Sequence, residues 1–211
     1  MQHDLRNPGD VCRKTRNEPW PADDLLYLIA YHAAPVLEME KPAVMLTFGN
    51  ERRGLNDIWR GSRERIPWSE HFQYYELRRS PERTVVLFYN PRLLSDVLRE
   101  KDSARYLRGC GYRRELTLES ALHDLEARFQ RECPHEMGLF FGIPLPDVLS
   151  FIANGGKQAV TAGYWKVYHN PGPAVALFDR YQEAKRCFVR LMKAGYEPLE
   201  YLAGKRLVLT E

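Results

Sequence analysis

Two histidines, one of them beside a glutamate, and a short aromatic-lysine run are the residues of this chain best suited to chemistry. His135 and Glu136 follow Pro134 and precede Gly138, so the backbone can bend there and present both side chains. An imidazole beside a carboxylate can relay protons near neutral pH. Adjacent side chains diverge on a helix or a strand, which argues against both acting on one atom. Position 139 is Leu, so the pair does not open a zinc-binding HExxH helix. The ordinary alternative is that His135 satisfies a carbonyl at the turn while Glu136 caps a neighbouring helix.

His32 falls three and four residues after Ile29 and Leu28, on the apolar stripe of a helix. A histidine there is ordinarily a buried, hydrogen-bonded core residue. Were folding to bring it to His135 and Glu136, two imidazoles and one carboxylate would form a ligand set for iron or zinc, although no spacing demands it. In an extended segment Tyr164, Lys166 and Tyr168 share one face and Trp165 and Val167 the other. The Tyr-Lys-Tyr face suits an anionic or planar ligand. It serves equally as a half-exposed sheet edge, with the lysine stem packed between rings. Gly155-Gly156-Lys157 lacks the spacing of a phosphate-binding loop, and no GxSxG nucleophile elbow occurs. Cys133, two residues before His135, makes only a weak thiolate pairing.

The elements that must position these residues are legible in outline. Residues 1–22 are polar and broken by Pro8, Gly9, Pro19 and Pro21, and read as a flexible N-terminal arm. A helix with Asp23 as N-cap follows and is expected to end at Pro35. Ala43 to Phe48 reads as a strand, and residues 51–65 as a helix. Phe72 to Leu77 and Thr84 to Tyr89 read as a hairpin with a six-residue loop. Asn90-Pro91 and Thr117 are helix starts. Further helices are expected near 103–108, from about Asp147 to Ala153, and from Leu177 to Leu191, ending at Gly195. Trp165 to Tyr168 reads as a strand, and Leu207 to Leu209 as a short edge strand. Together these predict a single α/β (mixed α+β) domain over 23–211. It would hold a small mixed sheet of four or five strands packed with helices, without the strict alternation of a doubly wound fold.

Composition narrows the partners. A net charge of +3 is too small to announce a polyanion. Arginine outnumbers lysine, 23 to 8, which fits either guanidinium recognition or simple codon usage. The arginines of 52–65, five against three carboxylates, form a weak patch, and nucleic-acid binding through them and the arginines of 105–114 is a third, weaker reading, so nucleic acid is not the expected partner. Cysteines 12, 110, 133 and 187 form no CxxC pair, and no apolar run is long enough for a bilayer span. The expectation is a soluble cytoplasmic protein with reduced thiols, and no membrane partner.

The run from Pro134 to Pro144 (PHEMGLFFGIP) and the segment Gly163 to Tyr168 (GYWKVY) resemble the signature of the family named domain of unknown function 3793. So do His32, Ala34 and Pro35 followed by Lys41-Pro42, the strand Val85 to Tyr89 before Pro91, and the Gly111-Tyr112 turn. The resemblance covers roughly residues 25–192. It implies a setting in anaerobic bacteria near flavodoxin or iron-uptake genes, hence iron or redox physiology, with a flavodoxin-like protein among the implied partners. It implies no defined activity or cofactor. Relatives often carry Cys after the first histidine and before the Gly-Tyr-Trp-Lys segment. Here those positions are Ala33 and Thr161-Ala162, so a shared thiol chemistry is not expected.

The resulting expectation is a binding protein for a small molecule or a protein partner. Its pocket would be lined by His32, His135, Glu136, Tyr164, Trp165, Lys166 and Tyr168. The alternative is an enzyme using His135 and Glu136 for acid-base work, or as metal ligands with His32.

Overall fold

In the structure, a computed structural model that describes residues 22–50 and 54–204, three strands form the centre. They are β1 (Ala43–Gly49), β2 (Gln73–Arg79) and β3 (Arg83–Tyr89), antiparallel in the order β1-β3-β2. β3 is apolar at nearly every position, because helices cover both faces of the sheet. Val86 and Phe88 face one core with Phe48, Phe72 and Trp59. Val85, Leu87 and Tyr89 face the other with Ala43 and Leu77. Alternation along β2 puts Leu77 in the second core and Glu76 on the first side, and the pairing register shifts between Glu76 and Arg78. There Glu76 accepts from the Trp59 indole at 2.8 Å and pairs with Arg63 at 2.9 Å.

The first layer holds α1 (Ala22–Leu37), α2 (Leu55–Ser62), α8 (Pro171–Lys193) and α9 (Pro198–Leu202). The second holds α3 (Pro91–Arg99), α4 (Lys101–Gly109), α5 (Leu118–Phe129), α6 (Met137–Phe140) and α7 (Leu145–Ala153). The expected caps form. Asn90 Oδ1 accepts from the Arg92 and Leu93 amides, and Thr117 makes a reciprocal capping box with Ser120. A separate two-stranded ribbon pairs β4 (Thr161–Ala162) with β5 (Lys166–Val167). Trp165 and Val167 pack it against Ala174 and Tyr181 of α8. The fold is thus mixed α/β, and among the described residues five strands are divided between two antiparallel sheets.

Several local expectations change. α1 starts one residue before Asp23 and continues two residues past Pro35. Pro35 lacks the N–H that would close one intrahelical bond, a loss the last turn of the helix tolerates. The Pro35 carbonyl accepts from the Glu40 and Lys41 amides at 2.8 and 3.0 Å, turning the chain through Met39. The hairpin loop is three residues, 80–82, because both strands extend beyond their apolar stretches. The helix expected over 51–65 is α2 plus a 3-10 turn at Arg63–Arg65. The N-terminal arm and the strand at 207–209 lie outside the described residues. Among the described residues no helix is long and apolar enough to cross a membrane.

Candidate functional site

The turn closed by Pro35 delivers Lys41 to the foot of β1, where Pro42 fixes it. The Pro42 carbonyl accepts from the Asn90 amide at 2.9 Å. Its ring lies against Gly142, where an added Cβ would stand 2.8 Å from Pro42 Cδ on a backbone with φ of 78°. The neighbouring Phe141 puts its ring 5.5 Å from Lys41 Nζ. Two further rings share that ammonium, Tyr164 at 5.6 Å and Tyr181 at 5.5 Å.

A second ammonium joins from α8. Lys185 stands one turn after Tyr181 on the same helix face. Its Nζ lies 5.0 Å from the Tyr164 ring centroid and 5.2 Å from that of Tyr31. His32 completes the group, edge-on to Tyr31 at 5.3 Å. Burial, with Lys185 and then Lys41 nearby, pushes the His32 imidazole down to about 4, so it is neutral at physiological pH. Burial and then Lys185 push Lys41 down to about 8. Lys185 is lowered by burial.

Among the described residues neither ammonium has a carboxylate within ion-pair range. Glu40, adjacent in sequence to Lys41, is engaged by Arg180 at 2.7 Å. Burial raises the Tyr164 phenol to about 12, with Tyr31 adding to the shift and Arg186 opposing it. Its hydroxyl is buried without a hydrogen-bond partner, as is that of Tyr168. Two half-buried cations, a neutral imidazole and an unsatisfied phenol beside aromatic faces thus lack the negative group that ordinarily compensates buried charge.

The remaining expected site residues sit in other surroundings. Trp165 donates to Asp147 Oδ2 at 2.9 Å and packs edge-on to Phe178 at 4.4 Å. Asp147 Oδ1 accepts from the Tyr168 and His169 amides at 2.9 and 3.0 Å. Lys166 donates to the Gly156 carbonyl at the end of α7. His135 is exposed, 5.7 Å from the Phe151 ring. Glu136 is buried and paired with Arg128, whose guanidinium also donates to the Cys110 carbonyl at 2.7 Å. Among the described residues no group of three or more His, Cys, Asp or Glu side chains could hold a metal, so His32, His135 and Glu136 do not meet as a ligand set.

Residues 29–202 match the family described as protein of unknown function (DUF3793). The chain belongs to that family. No curated protein and no solved structure matches it. Four residues from the segments that carry the resemblance, His32, Lys41, Phe141 and Tyr164, lie around one locus. Gly163 is a packing residue of the same design, since a Cβ there would stand 2.4 Å from the Phe178 ring.

Sequence reasoning passed over Lys41 as a site residue, and missed Lys185 and the role of Asp147. The available signal for Lys185 was a lysine on the apolar stripe of α8, between Tyr181 and Phe188. A cleft of about 720 Å³ lies elsewhere, lined by Val97, Tyr106, Leu139, Ile143, Leu145 and Leu149 among others. Its charged rim is already paired: Glu100 caps α4, and Arg105 meets Asp102 at 3.3 Å. The cluster on α1 and α8 carries the stronger chemical signal.

Proposed function

We propose that this protein binds a small anionic ligand, a carboxylate or phosphate compound, through Lys41 and Lys185, with His32 and Tyr164 as neutral hydrogen-bonding partners. One observation carries the reading. Two partly buried ammonium groups stand against one tyrosine ring with no carboxylate of the described chain to balance them. An anion would supply that balance and an acceptor for the Tyr164 hydroxyl. Aromatic faces around the cations exclude water and strengthen the attraction.

This narrows the expected small-molecule site to His32 and Tyr164 of the original set and replaces Lys166 by Lys41 and Lys185. The acid-base alternative at His135 and Glu136 gains no support, because Arg128 already occupies the carboxylate. The charged stretches also offer little to nucleic acid: Arg63 is bound to Glu76, Arg113 to Asp124 and Arg105 to Asp102. Cytoplasmic placement and the link to iron or redox physiology rest on the sequence and the family resemblance; the cluster itself speaks for anion chemistry.

Thermal unfolding in the presence of phosphate, acetate, lactate or pyruvate tests the reading. A ligand at a hundred times its Kd stabilises by about 2.7 kcal/mol. At least one of these anions should raise the midpoint saturably above a chloride control of equal ionic strength, and Lys185→Met should abolish the rise. A midpoint that follows ionic strength alone in wild type would overturn the proposal.

A further inference from the structure

Lys41 and Lys185 occupy different kinds of place. Lys185 stands on a 23-residue helix, over Tyr31 and Tyr164. Lys41 is held by the Pro35 turn and by Pro42 against Gly142, with its Nζ about equally far from the rings of Phe141, Tyr164 and Tyr181. An amine in an aromatic enclosure, beside a second cation and with no carboxylate of the described residues at hand, is in the surroundings that make lysine a nucleophile. We infer that Lys41 forms a Schiff base with a 2-oxo acid whose carboxylate is held by Lys185. The inference rests on the anion-site reading and goes beyond it by naming the ligand class and a covalent step.

The chemistry balances without a further reactant. The neutral Nζ attacks the keto carbon, a C–N bond forms, and the carbonyl electron pair moves to oxygen. The carbinolamine oxygen takes one proton from the nitrogen and one from solvent and leaves as water, giving a protonated C=N bond. Tyr164, whose ring both ammoniums contact, has a buried hydroxyl free to donate to that oxygen. The lowered proton affinity of Lys41, at about 8, leaves neutral amine available near neutral pH. His32 is neutral there, so it adds no third positive charge beside the attacking nitrogen.

The experiment treats the full chain with pyruvate and sodium cyanoborohydride and maps the modified peptides by mass spectrometry. The expected result is one carboxyethyl group on Lys41 and none on the exposed Lys101, Lys157 or Lys193. Lactate, which has the same carboxylate but no electrophilic carbon, should protect Lys41. Lys41→Arg should lose the adduct while retaining the wild-type circular dichroism spectrum, and Lys166→Met should label like wild type. Lys185→Met should remove the preference for pyruvate over acetone. If lactate raises the thermal midpoint yet pyruvate leaves Lys41 unmodified, the covalent step falls and the anion site stands. If neither compound shifts the midpoint and no adduct forms, both fall. Labelling spread evenly over the surface lysines would likewise overturn the inference.

Discussion

Two polar regions flank the β4-β5 ribbon, and they are completed differently. Around Asp147 the carboxylate itself is fully matched: it accepts from an indole and two backbone amides, all four groups come from the described chain, and the Tyr168 hydroxyl is the exception left without a partner. Around Lys41 and Lys185 the cations face rings, and among the described residues no carboxylate pairs with either. The first pattern is that of a structural clamp, in which buried polarity is matched internally. The second bears an electrostatic cost in the free protein, as sites shaped for a ligand do. Sorting the residues that carry the family resemblance by this criterion separates those that hold the ribbon (Trp165 by its indole, Tyr168 by its backbone amide) from those that face an open chemical demand (His32, Lys41, Tyr164).

The sharpest way to break the contrast is to disrupt the clamp. Asp147→Ala would strand the Trp165 indole and two amides in a buried site. Stability should fall by about 3–5 kcal/mol, read from urea unfolding. Next in size is the close approach of Gly142 to Pro42. Gly142→Ala places a side chain on positive φ and against Pro42, and should cost about 1–3 kcal/mol. Because Pro42 carries Lys41, the same variant should also weaken anion-induced stabilisation. A loss of stability with full ligand response would show that the two are not mechanically coupled.

The open region should respond in the opposite sense. Lys41 releases its proton at about 8 in the folded protein and at its ordinary value near 10.5 when unfolded. Between those values the unfolded chain binds more protons, so the Lys41 contribution to stability rises with pH across that window. Below pH 8 the charged amine is a liability, and Lys41→Met should stabilise the unliganded protein at pH 7 by about 1–2 kcal/mol. His32 follows the same sign lower down. With a folded value of about 4 against 6.5, its contribution is lost on acidification from 6.5 towards 4, and His32→Gln should flatten that part of the curve. Chemical denaturation at a series of pH values checks both. A Lys41→Met variant that is markedly less stable than wild type would mean that the lysine is a packing residue.

How far this was legible in the sequence depends on range. β3 could be read from its unbroken apolar run, and α3 and α5 from Asn90-Pro91 and Thr117, because these signals are local. α9 could not, since Pro198–Leu202 is too short to show a helical period. α1 runs past Pro35 because the last turn after it still closes, with the Glu38 amide on Ala34, and no local signal announces that continuation. His32 and Tyr164 were visible as unusual residues in their segments. Their meeting with Lys185 was not, because it depends on how α8 crosses α1. Asp147 looked like a helix-start residue, and its second role appears only when the ribbon folds back onto α7.

The smallest expected effect is the most discriminating one for the ribbon itself. Lys166 belongs to the GYWKVY signature and was an initial candidate for ligand contact, yet its ammonium donates to the Gly156 carbonyl and lies 6.0 Å from the Phe151 ring. A lysine that closes the end of a helix in this way contributes about 0.5–1 kcal/mol. Lys166→Met should therefore shift the unfolding midpoint slightly and leave the response to phosphate, lactate and pyruvate unchanged. Should it abolish that response while the fold holds, the anion would have to lie on the ribbon's exposed face. The ribbon would then be the binding surface, and Lys41 and Lys185 would stand without a ligand.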